Sequence, residues 1–235
     1  MNQYSRIRAG LETWPSDERI DRHRHDQAYV AVVLAGAYEE CGSRGCLHAA
    51  AGDVLLHGRF DAHLNRFRRG GAVILNLLDP VPLPSFALGR ITDPDAVAQA
   101  AERDSQAALA LLREQLTPLE PLPRDWPEAL ARHLLSDPQC RLDQWAGRHG
   151  LRPETVTRGF HRVFGVTPAA FRGEARARRA FGMIVGADAP LASIAATTGF
   201  ADQAHMTRAV RTLTGFPPSA WRRSIRFKTG DPQAG

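Results

Sequence analysis

Shifted against itself by 50 residues, the last hundred residues of the chain repeat. Thr157, Arg158, Gly165, Pro168, Ala170 and Arg172 recur as Thr207, Arg208, Gly215, Pro218, Ala220 and Arg222, and aromatic Phe171 answers to Trp221. Self-similarity of this kind marks a duplicated supersecondary unit. Each copy has the same local grammar. LDQWAGRHG reads as a short helix closing at Gly150, Pro153 sits in the first turn of the next helix, and that helix runs to Gly165. In the second copy LASIAATTG closes at Gly199 and ADQAHMTRAVRTLTG follows. Two helices joined by a short glycine turn is helix-turn-helix geometry.

Helical spacing divides the later helix of each copy into two faces. Val156, Phe160 and either Val163 or Phe164 fall inward, while Glu154, Thr157, Arg158 and His161 fall outward at i, i+3, i+4 and i+7. In the second copy Met206, Ala209, Val210 and Leu213 fall inward and Gln203, Ala204, His205, Arg208 and Arg211 outward. These outward types suit base edges. Arg can bond guanine O6 and N7, Gln can bond adenine, and Ala or Thr can touch a thymine methyl. The plain alternative is a pair of solvated faces on a helical bundle. Charge argues for nucleic acid: residues 141–228 hold 15 Arg and Lys against 5 Asp and Glu, a net of +10, whereas residues 1–140 net −4.

GFADQAHMTRAVRTLTGFPPSAWRR resembles the second helix-turn-helix signature of the AraC/XylS transcription regulators. The preceding GLRPETVTRGFHRVFGVTPAAFRGEARARRAFGMIVGADAPLASIA resembles the first unit and its connecting helix, in order and spacing. The resemblance implies two recognition helices, held by a linker helix around Arg172 to Ile184, entering successive major grooves. It places Glu154, Thr157, Arg158, His161 and Arg162 of the first unit, and Gln203, Ala204, His205, Arg208 and Arg211 of the second, against DNA. Glu154 is acidic in that setting and suits cytosine N4 or discrimination rather than affinity. Val210 and Leu213 stand where the family usually has phenylalanines.

The first third reads differently. From Tyr29 to Leu78, β-branched runs such as YVAVVLAG, DVLLH and AVILNLL are broken by the glycine-containing turns CGSRGC and RRGGA, the pattern of antiparallel strands in a small barrel or sandwich that DPVPLPSF would end. HRHDQAYVAVVLAG and AGDVLLHGRFDAHLNRF resemble the two motifs of cupin barrels, with His23 and His25 as the HxH pair and His63 as the later histidine; His57 lies off the motif. Alternation puts His23 and His25 on one strand face. Three histidines with an open position suit a divalent metal such as Zn²⁺ or Fe²⁺. The glutamate that usually follows HxH is not evident, Gln27 being close and Glu39 too distant. A small-molecule pocket lined by histidines and a purely structural barrel are the other two readings.

Between these regions DAVAQAAERDSQAALALLREQL, free of Gly and Pro, predicts one long helix over Asp95–Leu116, with Val97, Ala101, Leu109, Leu112 and Leu116 on one face for dimerisation or domain docking, or for packing back on the barrel. TPLEPLPRD predicts a stiff linker. The expected architecture is thus α+β and multi-domain: a cupin-like barrel over 1–92, a connector over 93–124 and an all-α double helix-turn-helix domain over 125–228.

With 43% apolar and 23% charged residues the chain is globular. No stretch has the apolar core of a signal peptide or membrane span, so a cytoplasmic location is expected, and disulfides are not expected among Cys41, Cys46 and Cys140. A thiol switch or metal clip at Cys41 and Cys46 is a lesser reading. No acid/base constellation beyond the histidines points to an enzyme. The expected partners are double-stranded DNA, a small-molecule effector, RNA polymerase if the protein is an activator, and a second copy in a homodimer.

Overall fold

The computed structural model describes residues 7–79, 86–137 and 140–229, the last five of these by backbone alone. The chain divides into two compact units, residues 1–132 with 162–165 and residues 133–161 with 166–235. Most of the segment expected to end the strand region, 80–85, lies outside the described residues.

The first unit is built on an antiparallel sheet of β1 (Gly10–Trp14), β2 (Arg19–Arg24), β3 (Tyr29–Gly42), β4 (Gly45–Ala50), β5 (Asp53–His57), β6 (Ala62–Leu78), β7 (Leu88–Arg90) and β8 (Thr117–Leu119). The pairing order is β1-β6-β3-β5-β7-β8, with β2 also on β6 and β4 also on β3. Pairing among the described residues therefore ends at β1 and β8 rather than closing into a ring.

The two long strands β3 and β6 organise the unit; β3 ends in the expected CGSRGC turn, but β6 does not break where the sequence suggested. RRGGA was expected as a turn; it lies inside β6 as an irregularity, Gly70 and Gly71 taking φ of +95° and +65°. Gly36 in β3 has φ +75°, and register shifts flank it. These positions need glycine twice over. Beyond the left-handed backbone, a Cβ on Gly36 would collide with the Gly71 carbonyl, and one on Gly71 with the carbonyl of Trp14.

One sheet face carries Tyr29, Ala31, Val33, Tyr38, Phe67 and Ile74. The other carries Val30, Val32, Val54, Leu56, Leu75 and Leu77, and two helices cover it. The single helix expected over Asp95–Leu116 is in fact α1 (Pro94–Ala101) and α2 (Ser105–Gln115). It breaks because the Asp104 carboxylate accepts the Gln106 N–H at 2.8 Å and starts a new helix. Val97, Ala108, Leu109 and Leu112 pack on the sheet, so the face expected to dimerise or dock is spent inside its own unit.

Two further expectations are corrected. Part of the supposed linker, Thr117–Leu119, is β8 and pairs with β7; Pro118 is tolerated there because β8 is an edge strand. Cys41 and Cys46 form a disulfide. The tight turn between Gly42 and Gly45 sets them directly opposite each other, Cα atoms 4.0 Å apart.

The second unit is helical: α4 (Leu142–Arg148), α5 (Pro153–Phe164, its last three residues counted with the first unit), α6 (Pro168–Gly186), α7 (Leu191–Thr197), α8 (Gln203–Thr214) and α9 (Pro218–Thr229) follow α3 (Trp126–Ser136), within which the unit boundary falls. No helix among the described residues is long and apolar enough to cross a membrane.

Candidate nucleic-acid interface and histidine pocket

The sheet gathers the histidines. His23 is the last residue but one of β2, His25 lies just past its end, His63 stands near the start of β6 and His57 ends β5. Ring centroids lie 5.0 Å apart for His23 and His25, 4.4 Å for His23 and His63, 5.5 Å for His25 and His63, and 4.9 Å for His57 and His63. One ring nitrogen from each of His23, His25 and His63 falls within 4.8 Å of the others, so the three expected residues do converge as a ligand set. They border a cavity of about 420 Å³ that Trp14, Tyr38 and Glu40 also line.

Glu40 and His57 are the residues sequence reasoning missed. Glu40 Oε2 stands 3.6 Å from His57 Nε2. The spacing would suit an ion pair, but burial pushes the Glu40 carboxyl well above its ordinary range, the nearby Asp61 charge adding to this, and pulls the His57 imidazole down to about 3. Burial thus disfavours the charged form of both groups. His63 is likewise lowered by burial and then by the neighbouring His57. Neutral imidazoles keep a lone pair, which is what metal ligation or a hydrogen bond from a bound molecule requires. The tempting neighbour Glu39 is engaged elsewhere: Arg66 donates to it and His48 Nδ1 is 3.5 Å away.

In the helical unit the expected faces are realised. Val156, Phe160 and Phe164 of α5, and Met206, Val210 and Leu213 of α8, are buried. Glu154, Thr157, Arg158, His161, Arg162, Gln203, Ala204, His205, Arg208 and Arg211 are all exposed. Local chemistry sets their start points. Asp202 caps α8 by accepting the His205 N–H at 2.6 Å, and the His205 ring rests edge-on against Phe200. Thr157 donates its hydroxyl to the Pro153 carbonyl one turn earlier in α5. Asp202 and Gly215, in the left-handed conformation at the C-cap, give α8 a defined beginning and end.

A family profile described as a helix-turn-helix domain matches residues 145–224. Residues 145–224 are thus a helix-turn-helix domain. No curated protein is similar enough in sequence to count as a match. Among solved structures, apo ToxT from Vibrio cholerae is similar at 10% identity over 94% of this chain and 100% of its own, TM-score 0.42. The DNA-binding domain of AdpA, a global transcriptional factor in complex with a target DNA, is similar at 21% identity over 47% of this chain and 99% of its own, TM-score 0.41. A probable AraC family transcriptional regulator from Rhodopseudomonas palustris is similar at 18% identity over 41% of this chain and 93% of its own, TM-score 0.38. These likenesses are loose, and the assignment of the domain does not rest on them.

The helix-turn-helix domain also gives a structural account of part of the repeat. Arg172 donates to the Cys140 carbonyl at 2.8 Å, just before α4, and its counterpart Arg222 donates to the Ala189 carbonyl, just before α7. Both arginines tie a following helix to the segment that starts its own helix pair. The aromatic counterparts act as packing: Phe171 meets Phe160 at 5.3 Å and Trp221 meets Phe181 at 5.1 Å. Conserved spacing in a duplication thus records scaffold as well as surface.

Proposed function

We propose that the protein is a sequence-specific transcription regulator in which α5 and α8 are the recognition helices of two helix-turn-helix units, and that a cupin-like sensor unit ahead of them answers to an effector. The observation that carries the reading is the pair of equivalent exposed positions, Arg158 on α5 and Arg208 on α8, each more than a turn into its helix within a segment of net charge +10. Glu154, Thr157, Arg158, Gln203, Ala204, His205 and Arg208 read bases; His161, Arg162 and Arg211 assist at the same faces. In the sensor unit the cavity beside His23, His25 and His63 takes a small molecule or a divalent metal, and a change there alters DNA binding. Partners of the whole are double-stranded DNA and, for an activator, RNA polymerase, in the cytoplasm; a homodimer would double the site.

Selection of bound sequences from a random duplex library at about 150 mM salt tests this, since salt suppresses the sequence-independent electrostatic part of binding. A bipartite motif with half-sites about one helical turn apart, roughly 34 Å, is the expected result. Binding that stays measurable but enriches no motif would replace the reading with a backbone binder.

A further inference from the structure

The carboxylate that the sequence pattern lacks is present in the fold, on another strand and opposite another histidine. Glu40, His57 and His63 retain only 6%, 4% and 3% exposure, and one donor atom from each lies within 4.8 Å of the others. At 3.6 Å, Glu40 Oε2 and His57 Nε2 are too far apart to hydrogen-bond. The separation is close to the roughly 3.4 Å between two donors that each sit about 2.1 Å from one tetrahedral ion. His57 Nε2 and His63 Nδ1 are both buried without a hydrogen-bond partner. Interiors rarely leave such atoms unmatched, and here one of them, His57 Nε2, stands against a buried carboxyl.

We propose that Glu40, His57 and His63 bind one first-row transition dication, at a site that shares only His63 with the three-histidine set. Two imidazole nitrogens and one carboxylate oxygen suit Zn²⁺, Fe²⁺ or Co²⁺; Mg²⁺ and Ca²⁺ prefer oxygen throughout. The ion accepts a lone pair from each imidazole and offsets the carboxylate charge that burial disfavours. His57 is held for this by Tyr29, whose ring stacks on it at 4.2 Å with planes 8° apart, while the Tyr29 hydroxyl reaches His63 Nε2 at 3.4 Å. Tyr29 therefore touches both imidazoles of the set. The site deepens the effector reading above by naming the class of its ligand, and rests on that reading for any effect on DNA.

The test is titration of the metal-free full chain with Co²⁺, read by its visible absorbance and by equilibrium dialysis, for wild type, Glu40→Gln, His57→Gln and His23→Ala. Wild type is expected to bind about one Co²⁺ per chain. Glu40→Gln and His57→Gln should each weaken binding by more than about tenfold, since even an outer-shell partner's loss costs about 10–100-fold, whereas His23→Ala should change it less than about threefold. Gln keeps the size and shape of the Glu40 side chain, so that variant is expected to fold; circular dichroism checks it, and His57→Gln decides if it does not. No stoichiometric Co²⁺ in wild type, or unchanged binding in folded Glu40→Gln with loss in His23→Ala, would overturn the proposal. Stoichiometric Co²⁺ in a protein that selects no DNA motif would instead sink the regulator reading alone.

Discussion

The buried imidazoles make the first unit acid-sensitive, with a sign that can be worked through residue by residue. His57 is lowered to about 3, and His63 and His23 are lowered as well, each chiefly by burial. The unfolded chain takes up these protons from about pH 6.5 downward while the fold resists them, so stability is fully present above that range and falls on acidification. His57 alone costs roughly 2 kcal/mol by pH 5. Glu40 runs the other way: its raised carboxyl is protonated in the fold first, so its contribution is lost as pH rises and partly offsets the histidines as pH falls. Urea unfolding of metal-free Glu40→Gln should therefore lose more stability between pH 7 and pH 5 than wild type does. Parallel profiles would mean that Glu40 is ionised in the fold. On the DNA side, Arg158→Ala and Arg208→Ala are each expected to cost about 1–3 kcal/mol and to relax discrimination at one base position. A loss equal on all duplexes would reassign that arginine to phosphate.

Among the elements, the helices were legible and the sheet faces were not, for one physical reason. In α5 and α8 the 3.6-residue period runs unbroken, so spacing alone separated Val156 and Phe160 from Glu154 and Arg158, and Met206 and Val210 from Gln203 and Arg208. In β3 the cavity side carries odd-numbered Tyr29 and Ala31 before Gly36, then even-numbered Tyr38 and Glu40 after it. In β6 it carries His63 and Asn65 before the Gly70–Gly71 irregularity, then Ile74 and Asn76 after it. Strict alternation would have chosen Glu39, so Glu40 was invisible to it. The break at Asp104 was legible in principle, since Asp followed by Ser is a helix-start signal inside an otherwise unbroken helical stretch. Burial of α2 on the sheet predicts that Leu109→Ala will destabilise the first unit by about 2–5 kcal/mol, measured by chemical denaturation. A loss under about 0.5 kcal/mol, the size of a surface change, would return that helix face to solvent or to a partner.

At the scale of the whole molecule, charge is segregated: residues 141–228 net +10 and residues 1–140 net −4. Association with DNA should therefore be strongly salt-dependent, log K falling by roughly 0.9 per phosphate neutralised for each tenfold rise in salt. Fluorescence anisotropy across a salt series measures that slope, and a slope near zero would remove electrostatics from the account of binding. The glycine irregularities in β3 and β6 have a consequence for how such a protein can diversify. A bulge is a spare residue. A descendant that lost one residue at Gly36 would straighten the strand and keep Tyr38 and Glu40 facing the cavity. One that kept the length but ironed out the kink would turn Glu39 and Cys41 inward in their place. Ligand preference in this unit can thus change a whole wall at a time, by a difference in chain length or backbone path at two glycine sites, with no substitution among the residues that line the cavity.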